Sequence, residues 1–534
     1  MEPGLLPAEF VSTLPPYAHQ TTALVRSWRK RRYALFMEQG TGKTKVLYDT
    51  AQILYRKGVI NAMLVLAPND VHDQWIDEQL PLHWPRDIPA RTVVWDTGRP
   101  KSKREAMELS SRPLPDRMTI LSMNHDALAH ASGFKAAMAF MCAYNAMLVV
   151  DESHNFKTPK AARTRNINKV ARLAVIKRIA TGTGKTQSPF DFWAQFRILD
   201  QRILGFDSFL AFKHRYGEWS KNVMVDKNAP LNKDGTKPLR EYETLNNYAN
   251  LDELYTRIEP HCFRVMKEDC LDLPPKVNVL RYTRLSPEQR DLYQRVKDEG
   301  ILLLERVEAG EKLSARDVLS LSDEELLDLV QNAEDRVSAS IKLTMFLRLH
   351  QVLGGFLKDD NRKLHVVDGT PDKCPRIATA LEYVNEALDS SKAKVIVWAA
   401  FRAELGALHK LIPNSVLVDG SVTGGKRREA IEQFKNPKSA TRVLVAHART
   451  MGTGQNLTVA GTALYYSNPW SWVLRAQSED RIHRIGQKGS ATIVDIRARG
   501  VELLDTKILN NLKGHGDMAR EFMTFDSKKL KEVL

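Results

Sequence analysis

YALFMEQGTGKTKVLYDT, residues 33–50, decides the fold. The apolar run Tyr33–Met37 leads into Gly40-Thr41-Gly42-Lys43-Thr44 and then into helical apolar spacing. Strand, glycine-rich turn and helix in that order make a βα unit whose turn can close on phosphate. Glycines let backbone N–H groups approach, the helix N-terminus adds partial positive charge, Lys43 reaches the β- and γ-phosphates, and the Thr44 hydroxyl can ligate Mg²⁺. The long GxxxxGK[ST] spacing is not met, because Met37 occupies the place of its first glycine, and only the shorter GxGKT form is present. A turn closing a purely structural βα unit is the plainer alternative.

Further apolar runs at Ala62–Ala67, Met118–Leu121, Met147–Val150 and Lys177–Ala180 alternate with helical stretches, a pattern that predicts a parallel sheet covered by helices. In such sheets ligands bind at the carboxyl ends of strands. One of those ends reads Asp151-Glu152-Ser153-His154, where Asp151 suits a Mg²⁺ ion and Glu152 suits a water attacking the γ-phosphate. Adjacent acids after a strand also occur as an ordinary helix start. A second GxGKT, Gly182-Thr183-Gly184-Lys185-Thr186, is followed by Pro189, which disfavours an immediate phosphate-loop helix, so it reads as a decoy.

The chain has 534 residues, suggesting roughly three or four structural units. Residues 221–240 read as a surface loop, and Ser286-Pro287-Glu288 opens a long helical stretch. A second set of apolar runs, at 394–400, 416–420, 442–447, 463–468 and 491–496, predicts another α/β unit. The expected division is 1–275, 276–374 as a helical insertion, and 375–534. Cys142, Cys262, Cys270 and Cys374 form no CxxC pair and read as reduced thiols. The N-terminus lacks the basic flank of a secretory signal. Residues 131–150 are apolar but carry Lys135 and Asn145, and they read as a buried helix and strand rather than a membrane span.

Lys and Arg exceed Asp and Glu by 15, which points to an anionic partner such as nucleic acid. Residues 26–32 hold five basic side chains in seven, and 156–180 hold eight with no acid. Such runs are as readily solvated faces as phosphate contacts.

As a set, these motifs resemble the Swi/Snf-type ATPases of helicase superfamily two. PYAHQTTAL (16–24) resembles their adenine-reading motif, placing Gln20 on the base. LVLAPNDVHDQW (64–75) and ILSMNHDAL (120–128) resemble motif Ia and the segment after it, and DESH is their Asp-Glu-x-His box. ATGTGKTQSPFDFWAQFRIL (180–199) occupies motif III, where the family has Thr-Gly-Thr-Pro, so Gly184-Lys185-Thr186 departs from the pattern. MGTGQNLT (451–458) resembles motif V, and YYSNPWSWVLRAQSEDRIHRIGQK (465–488) resembles motif VI. By resemblance Arg484 is an arginine finger and Arg481 its companion on the nucleotide. The residues alone would also allow QSEDRIHR to be an ordinary solvated helix.

The resemblance implies two RecA-like parallel-sheet domains in tandem with a helical insertion. It implies an ATP- and Mg²⁺-dependent translocase on double-stranded DNA. Lys43, Asp151, Glu152 and Arg484 would be catalytic. Gln20, Gly40, Thr41, Gly42, Lys43, Thr44, Arg481 and Arg484 would hold nucleotide, and Thr44 and Asp151 the metal. Ser122, Asn124 and Thr458 would contact nucleic-acid phosphates. A strand-separating helicase on forked DNA or RNA, and an ATP-gated clamp with little hydrolysis, are the alternatives. The expected setting is the cytoplasm of a microbe or viral host rather than a nucleus, away from membranes, with an unidentified protein partner setting the task.

Overall fold

The computed structural model describes residues 6–533 apart from 70, 97–99, 112, 113, 115, 157–160, 183–187, 226–238, 310, 312–335, 359–362, 391–393, 423, 452–454, 500–503 and 515–517. The second GxGKT therefore lies almost wholly outside the described residues. Two compact units are present, Met1–Leu271 and Asp272–Leu534.

In the first unit, strands β1 (Arg32–Met37), β2 (Ala62–Ala67), β3 (Ala90–Val94), β4 (Met118–Asn124), β5 (Ala146–Val150), β6 (Ile176–Ala180) and β9 (Cys262–Val265) form one sheet. Its order is β3-β4-β2-β5-β6-β1-β9, and every pairing is parallel. Parallel strands need crossovers, which cover both faces and leave central strands apolar throughout. The two-residue period then divides β1: Ala34 and Phe36 enter one core with Leu64, Leu66 and Leu148, while Tyr33, Leu35 and Met37 enter the other with Val65 and Val149. Residues 131–150 form a helix, Ala131–Ala143, and β5, and among the described residues no helix is long and apolar enough to cross a membrane.

Part of the expected loop at 221–240 is instead strand. β7 (Gly217–Val225) and β8 (Leu239–Tyr248) pair as an antiparallel hairpin. Their facing residues include Asn222, Thr244, Ser220 and Lys221, so no apolar alternation betrayed them.

In the second unit, β10 (Lys276–Arg284), β13 (Lys394–Trp398), β14 (Ser415–Val418), β15 (Val443–Ala446), β16 (Ala460–Tyr465) and β17 (Ala491–Arg499) form a parallel sheet in the order β10-β17-β16-β13-β15-β14. β11 (Phe356–Lys358) and β12 (Leu364–Val366) make a short antiparallel pair. Residues 276–374 thus open on a strand, β10, held to β17 over nine residue pairs. The helix Pro287–Glu308 starts as its sequence implies. Ser286 Oγ accepts from Gln289 N at 3.0 Å, Gln289 Oε1 accepts from Ser286 N at 3.2 Å, and Pro287 needs no donor at the first helical position.

Candidate active site

β1 ends at Met37, and the chain turns through Gly40 (φ 84°) and Gly42 (φ 87°) into α2 (Lys43–Arg56). These left-handed conformations favour glycine. A Cβ at Gly42 would also collide with the side-chain amide of Gln20. Gln20, on α1 (Ala18–Ser27), gives its Nε2 to the Thr41 carbonyl at 3.0 Å and takes the Tyr17 N–H on Oε1 at 3.0 Å. His19 Nε2 reaches the same Thr41 carbonyl at 2.8 Å. Thr41 Oγ1 donates to the Glu38 carbonyl at 2.7 Å. The loop is therefore braced from α1 and from within.

The sheet order sets β5, β6 and β1 side by side, so the loops leaving their carboxyl ends meet. Lys43, 8% exposed, donates from Nζ to the Met37 carbonyl at 3.1 Å. A Cβ on Gly182, just after β6, would lie 3.1 Å from Lys43 Nζ and 3.0 Å from Gln39 Cβ. A side chain there would press on Lys43 and Gln39, which would have to shift by a few tenths of an ångström.

Glu152 has φ 47°, a left-handed conformation that costs a non-glycine residue about 1–2 kcal/mol. Its carboxylate reaches the β6 loop: Oε2 accepts from Thr181 Oγ1 and from Gly182 N, both at 3.2 Å. His154 Nδ1 lies 3.3 Å from that oxygen and 2.9 Å from Thr181 Oγ1. Burial alone would raise the Glu152 carboxyl. The hydrogen bond from His154, the charges of Lys43 and His154, and the Gly182 N–H instead hold it well below the usual carboxylate range. Asp151 behaves oppositely: burial and the neighbouring Glu152 charge raise it, against Lys43 and a hydrogen bond from Trp75. Buried His125, brought down to about 4 by desolvation, is neutral and donates Nε2–H to the Asp151 carbonyl at 2.9 Å.

This donor set fits Mg²⁺. The Thr44 hydroxyl and Asp151 carboxylate offer hard oxygens, and Asp151 Oδ1 and Oδ2 each accept only one hydrogen bond, leaving lone pairs. Among the described residues no three His, Cys, Asp or Glu side chains form a metal cage. A cation bound mainly through water and phosphate needs none.

Other sequence candidates lie elsewhere. Ser122 is fully buried, and its hydroxyl donates to the His72 carbonyl at 2.5 Å. β4 is buried on both faces, so the hydroxyl has no route to solvent. Asn124 shapes the following turn, accepting from Ala127 N at 2.8 Å and donating to Asn69 Oδ1 at 2.5 Å. In the second unit Thr458 is half-buried, with its N–H on Asn456 Oδ1 at 3.2 Å. The helix Trp472–Glu479 stops before Arg481, so the stretch is not one continuous solvated helix. Arg481 is 1% exposed, gives Nη1 to the Gln455 carbonyl at 3.3 Å, and takes the Leu457 N–H on its own carbonyl at 3.0 Å. Arg484 is half-buried in the following turn.

Parts of the two basic runs converge at the amino-terminal ends of β1 and β6, the end of the sheet away from the phosphate loop. Arg32 is in register with Lys177 where β1 and β6 begin. Asp200 takes Arg32 at 2.6 Å and Arg202 at 2.8 Å. Burial, then the charge of Arg32, bring Lys177 down to about 8, with Arg172 and Arg202 adding to the effect. A strand of this length puts roughly 17 Å between that edge and the phosphate loop.

A phosphate loop, a carboxylate pair and a Thr-Gly turn on adjacent parallel strands, with a second parallel-sheet unit behind them in sequence, define a tandem RecA-like protein. The SNF2-related domain family matches residues 21–333, and the helicase conserved C-terminal domain family matches residues 377–486. The chain belongs to the SNF2-related family. It is 25% identical to human TATA-binding protein-associated factor 172 over 72% of this chain and 21% of that protein. To the probable ATP-dependent DNA helicase CHR23 of Arabidopsis thaliana it is 25% identical over 84% of this chain and 38% of that protein. It thus spans well under two thirds of those relatives. Among solved structures, the Sulfolobus solfataricus SWI2/SNF2 ATPase core in complex with dsDNA aligns over 99% of both chains at 19% identity and TM-score 0.38.

Proposed function

We propose that the protein hydrolyses ATP and uses the cycle to move along double-stranded DNA, remodelling DNA or DNA–protein complexes. The observation that carries this is the meeting of Lys43, Glu152 and Gly182 at the ends of β1, β5 and β6 in a chain of the SNF2-related family. The names of relatives such as the Arabidopsis DNA helicase support ATP and DNA as its ligands.

Lys43 exchanges the Met37 carbonyl for the β- and γ-phosphates, and the glycine loop presents N–H groups to them. Gln20 reads the adenine while bracing Thr41. Thr44 and Asp151 would hold Mg²⁺, which would supply neutralisation of phosphate charge. Glu152, kept ionised by its donors, orients the attacking water rather than serving as a strong proton sink. Arg481 braces the loop at Gln455, and Arg484 beyond it is the proposed arginine finger, a charge of the kind that stabilises a γ-phosphoryl transition state. Thr458 is the proposed phosphate contact on DNA.

The test is ATP turnover with duplex DNA, single-stranded DNA, forked DNA and RNA. Duplex DNA is expected to stimulate turnover most, and triplex displacement is expected without duplex unwinding. A rate indifferent to DNA overturns the proposal.

A further inference from the structure

We propose that Trp75 is a positioning residue for Asp151, fixing the direction of its carboxylate and tying it to the phosphate-loop helix; this rests on the nucleotide-site reading above. Thr44 and Asp151 come from the ends of β1 and β5, and β6 lies between those strands, so no sheet hydrogen bond joins them. Trp75 bridges the gap. Its indole Nε1–H donates to Asp151 Oδ2 at 3.2 Å, while Asp151 Oδ1 takes the Glu152 N–H at 3.0 Å. With one donor on each oxygen the carboxylate cannot rotate freely, yet each oxygen keeps a lone pair for a cation.

The other end of Trp75 is held by α2. Its carbonyl accepts from the Tyr48 hydroxyl, and the two rings lie 5.3 Å apart at 42°. Both residues are buried, with Trp75 1% and Tyr48 0% exposed. Tyr48 sits one turn beyond Thr44 on the same helix, so Thr44, Tyr48, Trp75 and Asp151 form a continuous strut. Trp75 also opens a π-helical turn, Trp75–Gln79, a rare conformation that is frequent at functional sites. Partners that orient a metal ligand typically govern metal affinity by ten- to a hundredfold.

The test is calorimetric titration of the full chain with ADP, in Mg²⁺ and in EDTA. Trp75→Phe keeps an aromatic ring but removes the donor. It is expected to weaken Mg²⁺-supported binding by about tenfold or more while leaving binding in EDTA unchanged. In an Asp151→Asn background it is expected to add no further loss, because the partner it orients is gone. Trp84→Phe serves as a packing control: Trp84 also meets Tyr48, at 6.3 Å, but gives its N–H to the Ile88 carbonyl. It is expected to keep the wild-type Mg²⁺ dependence. Tyr48→Phe, which removes only the hydroxyl, is expected to show a smaller loss of the Trp75→Phe kind and carries the test if that variant does not fold.

Unchanged Mg²⁺ dependence in Trp75→Phe, equal losses with and without Mg²⁺, or additivity with Asp151→Asn would each overturn the proposal. Wild-type protein that binds no ADP under either condition overturns the nucleotide-site reading itself, and this inference with it.

Discussion

Each unit buries a cation near the carboxyl ends of its strands, but Lys43 and Arg376 are held in opposite ways. Arg376, 1% exposed, has five N–H donors and five acceptors: the carbonyls of Tyr466, Leu353 and Ile496 and both oxygens of Asp505. Arg475 is similarly enclosed by Asp495, Glu479 and Asn468. Among the described residues Lys43, with three donors, makes one hydrogen bond, to Met37, beside two carboxylates that act on it through charge. A buried charge whose donors are all matched holds a fold together. One with donors to spare, on a glycine turn, is set for a ligand.

The largest expected effect separates these roles. Lys43→Ala and Glu152→Gln are expected to cut ATP turnover by about a thousandfold, within the range of lost phosphate and water positioning. Urea denaturation should show a smaller loss of stability for either than for Arg376→Ala, since Glu152 and Lys43 also give up part of their mutual stabilisation. Loss of stability matching the loss of turnover would break the contrast. Arg376→Ala should do the reverse, stranding Asp505 in the core and costing about 3–5 kcal/mol in the unfolding of the second unit.

A third prediction uses pH. Glu404 is pushed up to about 7, chiefly by burial, against its hydrogen bond from Ser467 and the charge of Arg376. Its folded value lies above its ordinary 4.5, so the folded protein binds the extra proton between the two. Its contribution to stability is full below about 4.5 and is lost as pH rises through about 7, a change of about 3 kcal/mol. Glu404→Gln is expected to remove that slope from unfolding curves measured across the window, and an unchanged slope would locate the titration elsewhere. The smallest effect belongs to Gly182→Ala, whose new methyl crowds Lys43 and Gln39. It should cost about 1 kcal/mol of stability and weaken ATP binding modestly, read by thermal melting and titration.

Much of this was legible in the sequence because the first sheet is built from short apolar strands ending in glycines and acids. Tyr33–Met37 and Met147–Val150 needed no tertiary information to be read. β10 was missed because its valines and Tyr282 lie on an edge strand with mostly exposed residues, which gives no buried run to find. Ser122 shows the converse. A polar residue within TILSMN looks like a functional exception, but a strand covered on both faces buries every position alike. Trp75 closes the segment that resembles motif Ia, but a lone aromatic among Asp73, Gln74, Asp77 and Glu78 does not reveal its partner. Its bond to Asp151 depends on two segments 76 residues apart.

The pairing of β10 with β17 bears on how the chain is made. Residues 276–284 leave the ribosome long before their partners at 491–499, and the helix Pro287–Glu308 likewise awaits Ser527, which bonds Glu308, and Lys531, which pairs with Glu305. At common elongation rates that interval is roughly 10–40 s. The first unit has all its strands by Val265 and can close while the second still holds an unmatched edge strand. During synthesis, aggregation and chaperone demand should therefore concentrate on residues 276–308, whose unpaired β10 backbone and whose helix residues Tyr293, Ile301 and Leu304 are covered only later.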